Sequence, residues 1–138
     1  MRSMLITALL LLSNLCVLAQ APTSPTLRQS ELSRHPFELG KLRLTVEKLS
    51  RKFGWFGPEI RVRLENPSDG AVTFDPQLLS FINKGSDQVN MLGYRGQTLP
   101  LLKVLPGAFV RERYLLSSSV RLPARLYYDG KELAVIDG

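Results

Sequence analysis

In several stretches between residues 42 and 136 apolar side chains occupy every second position, and that period dictates the class of fold. Leu42, Leu44 and Val46 alternate with Arg43, Thr45 and Glu47. Ile60, Val62 and Leu64 alternate with Glu59, Arg61, Arg63 and Glu65. Val120, Leu122, Ala124, Leu126 and Tyr128 alternate with Arg121, Pro123, Arg125 and Tyr127. Successive side chains of a strand point to opposite faces, so each segment buries one face and wets the other. Such segments are half-buried antiparallel strands. Past the N-terminal region no apolar period of 3.6 residues is sustained, so no long helix is expected there.

Chain breakers fall where these strands should end. Asn66-Pro67-Ser68-Asp69-Gly70 closes the second one, because Pro67 has no donor for a ladder and Gly70 tolerates positive φ. Residues 71–74 form a short strand stopped by Asp75-Pro76, and residues 78–83 form another, stopped by Lys84-Gly85-Ser86-Asp87. Residues 89–92 read as a weak edge strand before Gly93, residues 93–100 as loop, and Pro106-Gly107 as a turn into a strand over 109–116. Asp129-Gly130 lies between apolar strands at 122–128 and 132–136, which is a strong hairpin signal. The expectation is an all-β domain, an immunoglobulin-like β-sandwich of seven to eight antiparallel strands.

The first residues have a different character. Arg2 precedes an apolar run at 5–12, broken only by Thr7, and 16–19 continues it. Val17 and Ala19 place small side chains where a signal peptidase reads them. Residues 1–19 are therefore expected to be a signal-peptide helix, too short and too poorly flanked to span a membrane, with no transmembrane segment in the mature chain. Leu15 stands where a lipidated Cys16 would need a small residue, which argues against an anchored form. Residues 20–36 hold Pro22, Pro25, Pro36 and several Ser and Thr, a linker composition. Residues 37–138 make the domain. Cys16 is the single cysteine, so no disulfide can staple the mature chain, and packing must hold it. The expected location is the periplasm or the cell exterior.

Several of these features together resemble the exported bacterial immunoglobulin-like domains of unknown function. The carriers are an alternating strand ending in Asn-Pro-Ser at 61–68, a short strand ending in Phe74-Asp75-Pro76, Leu105-Pro106-Gly107 before 109–116, and the closing Tyr127-Tyr128-Asp129-Gly130-Lys131. The resemblance covers residues 37–136. It implies a binding or envelope-associated module without catalysis, and no particular ligand.

The residues themselves offer little chemistry. His35 is the one histidine and stands in the linker-like stretch beside Pro36. With no cysteine in the mature chain, metal centres and Cys/His or Ser/His catalysis lack their parts. No cofactor is expected and no enzyme activity. A carboxylate pair for glycoside hydrolysis would have to come from Glu47, Glu59, Glu65 or Glu112. The first three fall at outward positions among Arg and Lys, as solvated charge pairs. Glu112 lies on a strand with apolar residues on both faces, so its side is open, and inward it would need a partner. Asp69, Asp75 and Asp87 match no calcium-loop spacing, and Asp is frequent in turns for backbone reasons.

Two surface features stand out. Arg51-Lys52-Phe53-Gly54-Trp55-Phe56-Gly57-Pro58 joins aromatics to cations in a glycine-rich loop. Phe53, Trp55 and Phe56 suit a partner's pocket or a bilayer interface, or else a plug over the end of the core. The second is the set of outward arginines, Arg43, Arg61, Arg63, Arg121 and Arg125, with Arg111 and Arg113 as further members. On one sheet they would form a basic stripe for carboxylate or phosphate groups; otherwise they protect edges and keep the domain soluble. Lys and Arg total 18 against 12 Asp and Glu, so the chain is basic. Outside the cytoplasm that points to acidic protein surfaces, anionic lipid or acidic polysaccharide, and away from nucleic acid. The expected role is a non-catalytic binding module of the bacterial envelope with a protein partner, the alternative a binder of anionic lipid or polysaccharide. A small hydrolase is the remote third.

Overall fold

In the computed structural model, which describes residues 24–51, 57–86, 89–93 and 98–138, the period-two segments are strands. In chain order the strands are β1 Thr26–Arg28, β2 Phe37–Leu39, β3 Leu42–Ser50, β4 Glu59–Glu65, β5 Val72–Phe74, β6 Leu79–Asn83, β7 Val89–Met91, β8 Leu102–Val104, β9 Phe109–Leu115, β10 Ala124–Tyr128 and β11 Lys131–Asp137. The eight expected strands are β3 to β7 and β9 to β11. The three-residue strands β1, β2 and β8 are additional, being too short to show a period. The expected signal helix at 1–19 lies outside the described residues. Among the described residues no helix is long and apolar enough to cross a membrane.

Three sheets share one core. A five-stranded sheet runs β1-β11-β10-β6-β7, a four-stranded sheet β2-β3-β4-β9, and a two-stranded sheet β5-β8. All pairings are antiparallel except β1 with β11. Leu44, Val46, Val62 and Leu64 come to the core from the four-stranded sheet. Phe81, Leu126 and Ile136 come from the five-stranded sheet, Phe74 and Val104 from the two-stranded one. Burying one such side chain stabilises the fold by about 1.5–3 kcal/mol relative to leaving it exposed. Phe74 also stacks on Tyr128 with ring centroids 5.4 Å apart, and the Tyr128 hydroxyl accepts the Asp75 N–H at 3.2 Å, tying the small sheet to β10.

A β-bulge in β3 sets the phase of its faces. The register passes from Val46 opposite Val62 to Lys48 opposite Arg61, leaving Glu47 as the extra residue. Both Glu47 and Lys48 are exposed, and Leu49 returns to the core. Strict alternation would have turned Leu49 outward. The closing hairpin is as expected. Tyr128 pairs with Lys131, and Asp129 and Gly130 both adopt positive φ, 51° and 76°. A two-residue turn of this kind matches the twist of the strands it joins.

The linker expectation for 20–36 is corrected over its described part. Thr26 to Arg28 pair with Val135 to Asp137 of β11, and Gln29–Arg34 forms a 3-10 helix. Leu27 and Leu32 are 7% and 2% exposed, and Gln29 Nε2 donates to the Leu49 carbonyl at 2.6 Å. Each apolar residue stands alone among polar ones, so the sequence has no period there. Docking against β11 and β3 buries them. The strand expected over 120–128 also starts later, at Ala124, because Pro123 offers no donor. Two asparagines hold the preceding segment. Asn90 is buried, its Nδ2 donates to the Ser118 carbonyl at 2.6 Å, and its Oδ1 accepts the Ser118 N–H and Ser117 hydroxyl. Asn83 donates to the Ser119 carbonyl and accepts the Arg121 N–H.

Candidate binding surface

The outer face of the four-stranded sheet is built from cross-strand rows. Arg43, Glu65 and Phe109 stand opposite one another across β3, β4 and β9, with Glu38 of β2 beside Arg43. The next row is Thr45, Arg63 and Arg111; the next Lys48, Arg61 and Arg113; the last Ser50, Glu59 and Leu115. Arginine therefore faces arginine twice in succession, Arg61 opposite Arg113 and Arg63 opposite Arg111. The ladder continues at both ends, where Asn66 N–H donates to the Ala108 carbonyl and Leu116 N–H to the Pro58 carbonyl. These bonds set the alternation, so the two arginine pairs occupy the closer, non-hydrogen-bonded sites. Like charges directly opposite destabilise a sheet by about 0.2–1 kcal/mol a pair.

Glutamates between the rows offset that repulsion. Arg111 Nε lies 2.9 Å from Glu47 Oε1, which the β3 bulge projects across the intervening strand. Glu65 meets Arg63 at 2.9 Å and Arg43 at 3.9 Å, and Glu38 binds Arg43 at 2.9 Å. Glu59 lies 3.8 Å from Arg61 and 3.5 Å from Arg113. Its expected place as a solvated outward residue is corrected: Glu59 is 8% exposed, and its Oε2 has no hydrogen-bond partner. Row alternation predicts its outward side, but not the two arginine side chains that close around it. Phe109 is 52% exposed, and the Arg63 and Arg111 guanidinium carbons lie 4.2 and 5.6 Å from its ring centre. That is a cation–π cluster at the sheet surface. An open depression of about 310 Å³ is lined by Glu47, Arg61, Val62, Arg111, Glu112 and Arg113. On this face six cations, Arg43, Lys48, Arg61, Arg63, Arg111 and Arg113, stand among four carboxylates, Glu38, Glu47, Glu59 and Glu65. Guanidinium forks that keep spare N–H groups can take a carboxylate or phosphate in two parallel bonds.

Not every expected member joins this face. Arg61 and Arg63 do, together with Arg43, Arg111 and Arg113. Arg125 lies on the outer face of the five-stranded sheet, between buried Ala124 and Leu126 and near the Tyr127 ring. Arg121 lies in the irregular segment before β10, its N–H bound to Asn83. The stripe expected from all the outward arginines is thus divided, because β10 belongs to the other sheet. Phe53, Trp55 and Phe56 lie outside the described residues. Phe109 is the member that sequence reading missed as a surface residue; the signal was its phase with Arg111 and Arg113.

The remaining candidates resolve locally. Glu112 is half-buried on the inner side of β9, opposite Val62. Beside it, burial pushes Tyr114 up to about 12, with the Glu112 charge adding to the effect. Asp75 caps a short 3-10 turn by accepting the Gln77 N–H at 3.0 Å. The half-buried His35 ring packs on Phe37 at 5.2 Å. Among the described residues no three His, Cys, Asp or Glu side chains gather where they could hold a metal.

The fold defines a class of small all-β protein. No family model matches the chain, and no curated protein does. Among solved structures the chain is similar to the yjhA protein of Bacillus subtilis, at 18% identity over 75% of this chain and 79% of that one, with a TM-score of 0.50. At that identity the likeness concerns the fold alone.

Proposed function

We propose that this chain is an exported, immunoglobulin-like β-sandwich module of the bacterial envelope that binds an acidic protein partner and catalyses no reaction. The contact surface is the arginine face of β3, β4 and β9. One observation carries the reading: two arginine pairs stand opposed in adjacent rows on a face where six cations meet four carboxylates, an excess of positive charge that suits an anionic partner. The N-terminal signal pattern supports export, and the resemblance over 37–136 supports the sandwich class. A second reading, binding of anionic lipid or polysaccharide, draws on the exposed Phe109 ring among guanidinium groups, which suits a headgroup region or a sugar face.

Three probes separate these readings: a polyglutamate peptide, phosphatidylglycerol vesicles and polygalacturonate, each at low and high salt. Expected is polyglutamate binding that weakens with salt, since exposed charges are screened within about 10 Å at 0.1 M. The double variant R111S/R113S should weaken it by about tenfold or more while the far-ultraviolet circular dichroism stays that of the folded wild type. Binding to vesicles or polygalacturonate alone would transfer the function to the second reading. Retention of full affinity by the double variant would remove the arginine face from the function altogether.

A further inference from the structure

Positive charge is unevenly spread over the arginine face. At the Phe109 end two cations meet two carboxylates at contact distance: Arg43 Nε lies 2.9 Å from Glu38 Oε1, and Arg63 Nη2 lies 2.9 Å from Glu65 Oε1. Bonds of that length fix a guanidinium and neutralise it locally. At the other end, among the described residues, Lys48, Arg61, Arg111 and Arg113 stand with Glu47 and Glu59. Arg111 holds Glu47 at 2.9 Å, which leaves Glu59 to serve Arg61 and Arg113 together. Glu59 does so loosely, at 3.8 and 3.5 Å. A charge-assisted N–H bond to a carboxylate measures about 2.7–2.9 Å. The surplus of cations over carboxylates on this face therefore falls at the Arg61–Arg113 end. Exposure divides the same way. The Arg61, Arg113 and Arg111 side chains are 50%, 55% and 60% exposed, those of Arg43 and Arg63 42% and 32%. The depression of about 310 Å³ opens at the three more exposed ones.

Resting on the reading above, we infer that the partner is anchored by one carboxylate, from an aspartate or glutamate side chain, held jointly by Arg61 and Arg113 in this depression, with Arg111 at its rim. Glu59 shows that the spacing suits the task. Its Oε1 approaches Arg61 and its Oε2 approaches Arg113, so a single carboxylate spans both guanidinium groups. Cross-strand pairing of Arg61 with Arg113 sets that spacing, and the charge of Glu59 offsets the repulsion between them. A guest carboxylate arriving from solvent meets the same pair. The planar fork of each arginine offers it two parallel N–H bonds, which the point charge of a lysine cannot reproduce. Arg43 and Arg63, engaged with Glu38 and Glu65, add attraction at a distance and no direct bond to the guest. Charge over the whole face steers the partner, and the Arg61–Arg113 pair holds it.

The test uses the full-length chain, a fluorescent hexaglutamate peptide and two double variants that keep the net charge, R61K/R113K and R43K/R63K. Expected is a Kd raised about tenfold or more in R61K/R113K and less than about threefold in R43K/R63K. Far-ultraviolet circular dichroism checks that both variants fold. A measurement on the wild-type chain stands beside them: on addition of hexaglutamate, the side-chain Nε–H signals of Arg61 and Arg113 should shift in nuclear magnetic resonance spectra by more than those of Arg43 and Arg63. Equal affinities of the two lysine variants, or shifts spread evenly over the four arginines, would overturn the anchor and leave a diffuse basic surface, with the reading above intact. Failure of hexaglutamate to bind the wild-type chain would overturn this inference together with the reading on which it rests.

Discussion

Asn66 joins two turns that lie far apart in the chain. Its Nδ2 donates to the carbonyls of Gly70 at 2.8 Å and Val104 at 2.9 Å, and its Oδ1 accepts the Ser68 N–H and hydroxyl. Its backbone also bonds Ala108 and Gly107. At 1% exposure the side chain has its amide capacity satisfied within the protein. Asn66→Ala would leave the Val104 carbonyl without its partner and loosen the Pro106-Gly107 turn. The expected cost is about 2–4 kcal/mol, measured by urea denaturation. Asn66→Asp should cost a similar amount, since a carboxylate cannot donate to either carbonyl; a loss below about 1 kcal/mol in both variants would show that the node is dispensable. Sequence reading located the Asn-Pro-Ser turn. It did not reach Val104, which is 38 positions away and meets Asn66 through the pairings of β5 with β8 and of β4 with β9. Glu59 is a second case at this scale, since its burial depends on Arg113 from a strand distant in sequence.

Among the elements, the turn of the closing hairpin was legible, and the bulge in β3 and the register shift between Leu126 and Tyr127 were not. Asp129-Gly130 encodes its own turn because both residues must hold positive φ, which these two residue types tolerate. A Cβ added at Gly130 would meet nothing within 4 Å, so Gly130→Ala carries only the backbone penalty. That penalty should be about 1 kcal/mol, and Gly130→Asn should cost less, since Asn enters the left-handed region more readily. Thermal unfolding of the two variants checks the order. A larger loss for Asn would mean that the turn is of another kind. The bulge at Glu47 leaves no such mark, because any residue can be the extra one and the phase change shows only against the partner strand. The arginine face is intermediate. Arg43, Arg61 and Arg63 were readable as outward, the side of Arg111 and Arg113 was open, and the pairing of β4 with β9 made Arg61 the neighbour of Arg113. A hairpin-connected order would have paired other strands.

At the scale of the molecule, the segment before β2 belongs to the fold. Leu32 is 2% exposed, so Leu32→Ala should destabilise the protein by about 2–4 kcal/mol. A linker residue would change stability by less than about 0.5 kcal/mol, so denaturant unfolding of this one variant distinguishes a docked segment from a tether. The parallel pairing of β1 with β11 brings the described N-terminal segment alongside the last strand. Sequence by itself determined the all-β class, the eight longer or better-marked strands, the inward faces of β4 and β10 and of β3 up to its bulge, and the turn of the closing hairpin. All of these rest on local rules: side-chain period, missing donors and permitted φ. Tertiary structure alone decided which strands became neighbours, and with them the separation of Arg121 and Arg125 from the arginines of the four-stranded sheet, the burial of Glu59, and the docking of Leu27 and Leu32. Each of those depends on contacts between residues far apart in the chain, where the energy lies in the pairing and no single segment carries its signature.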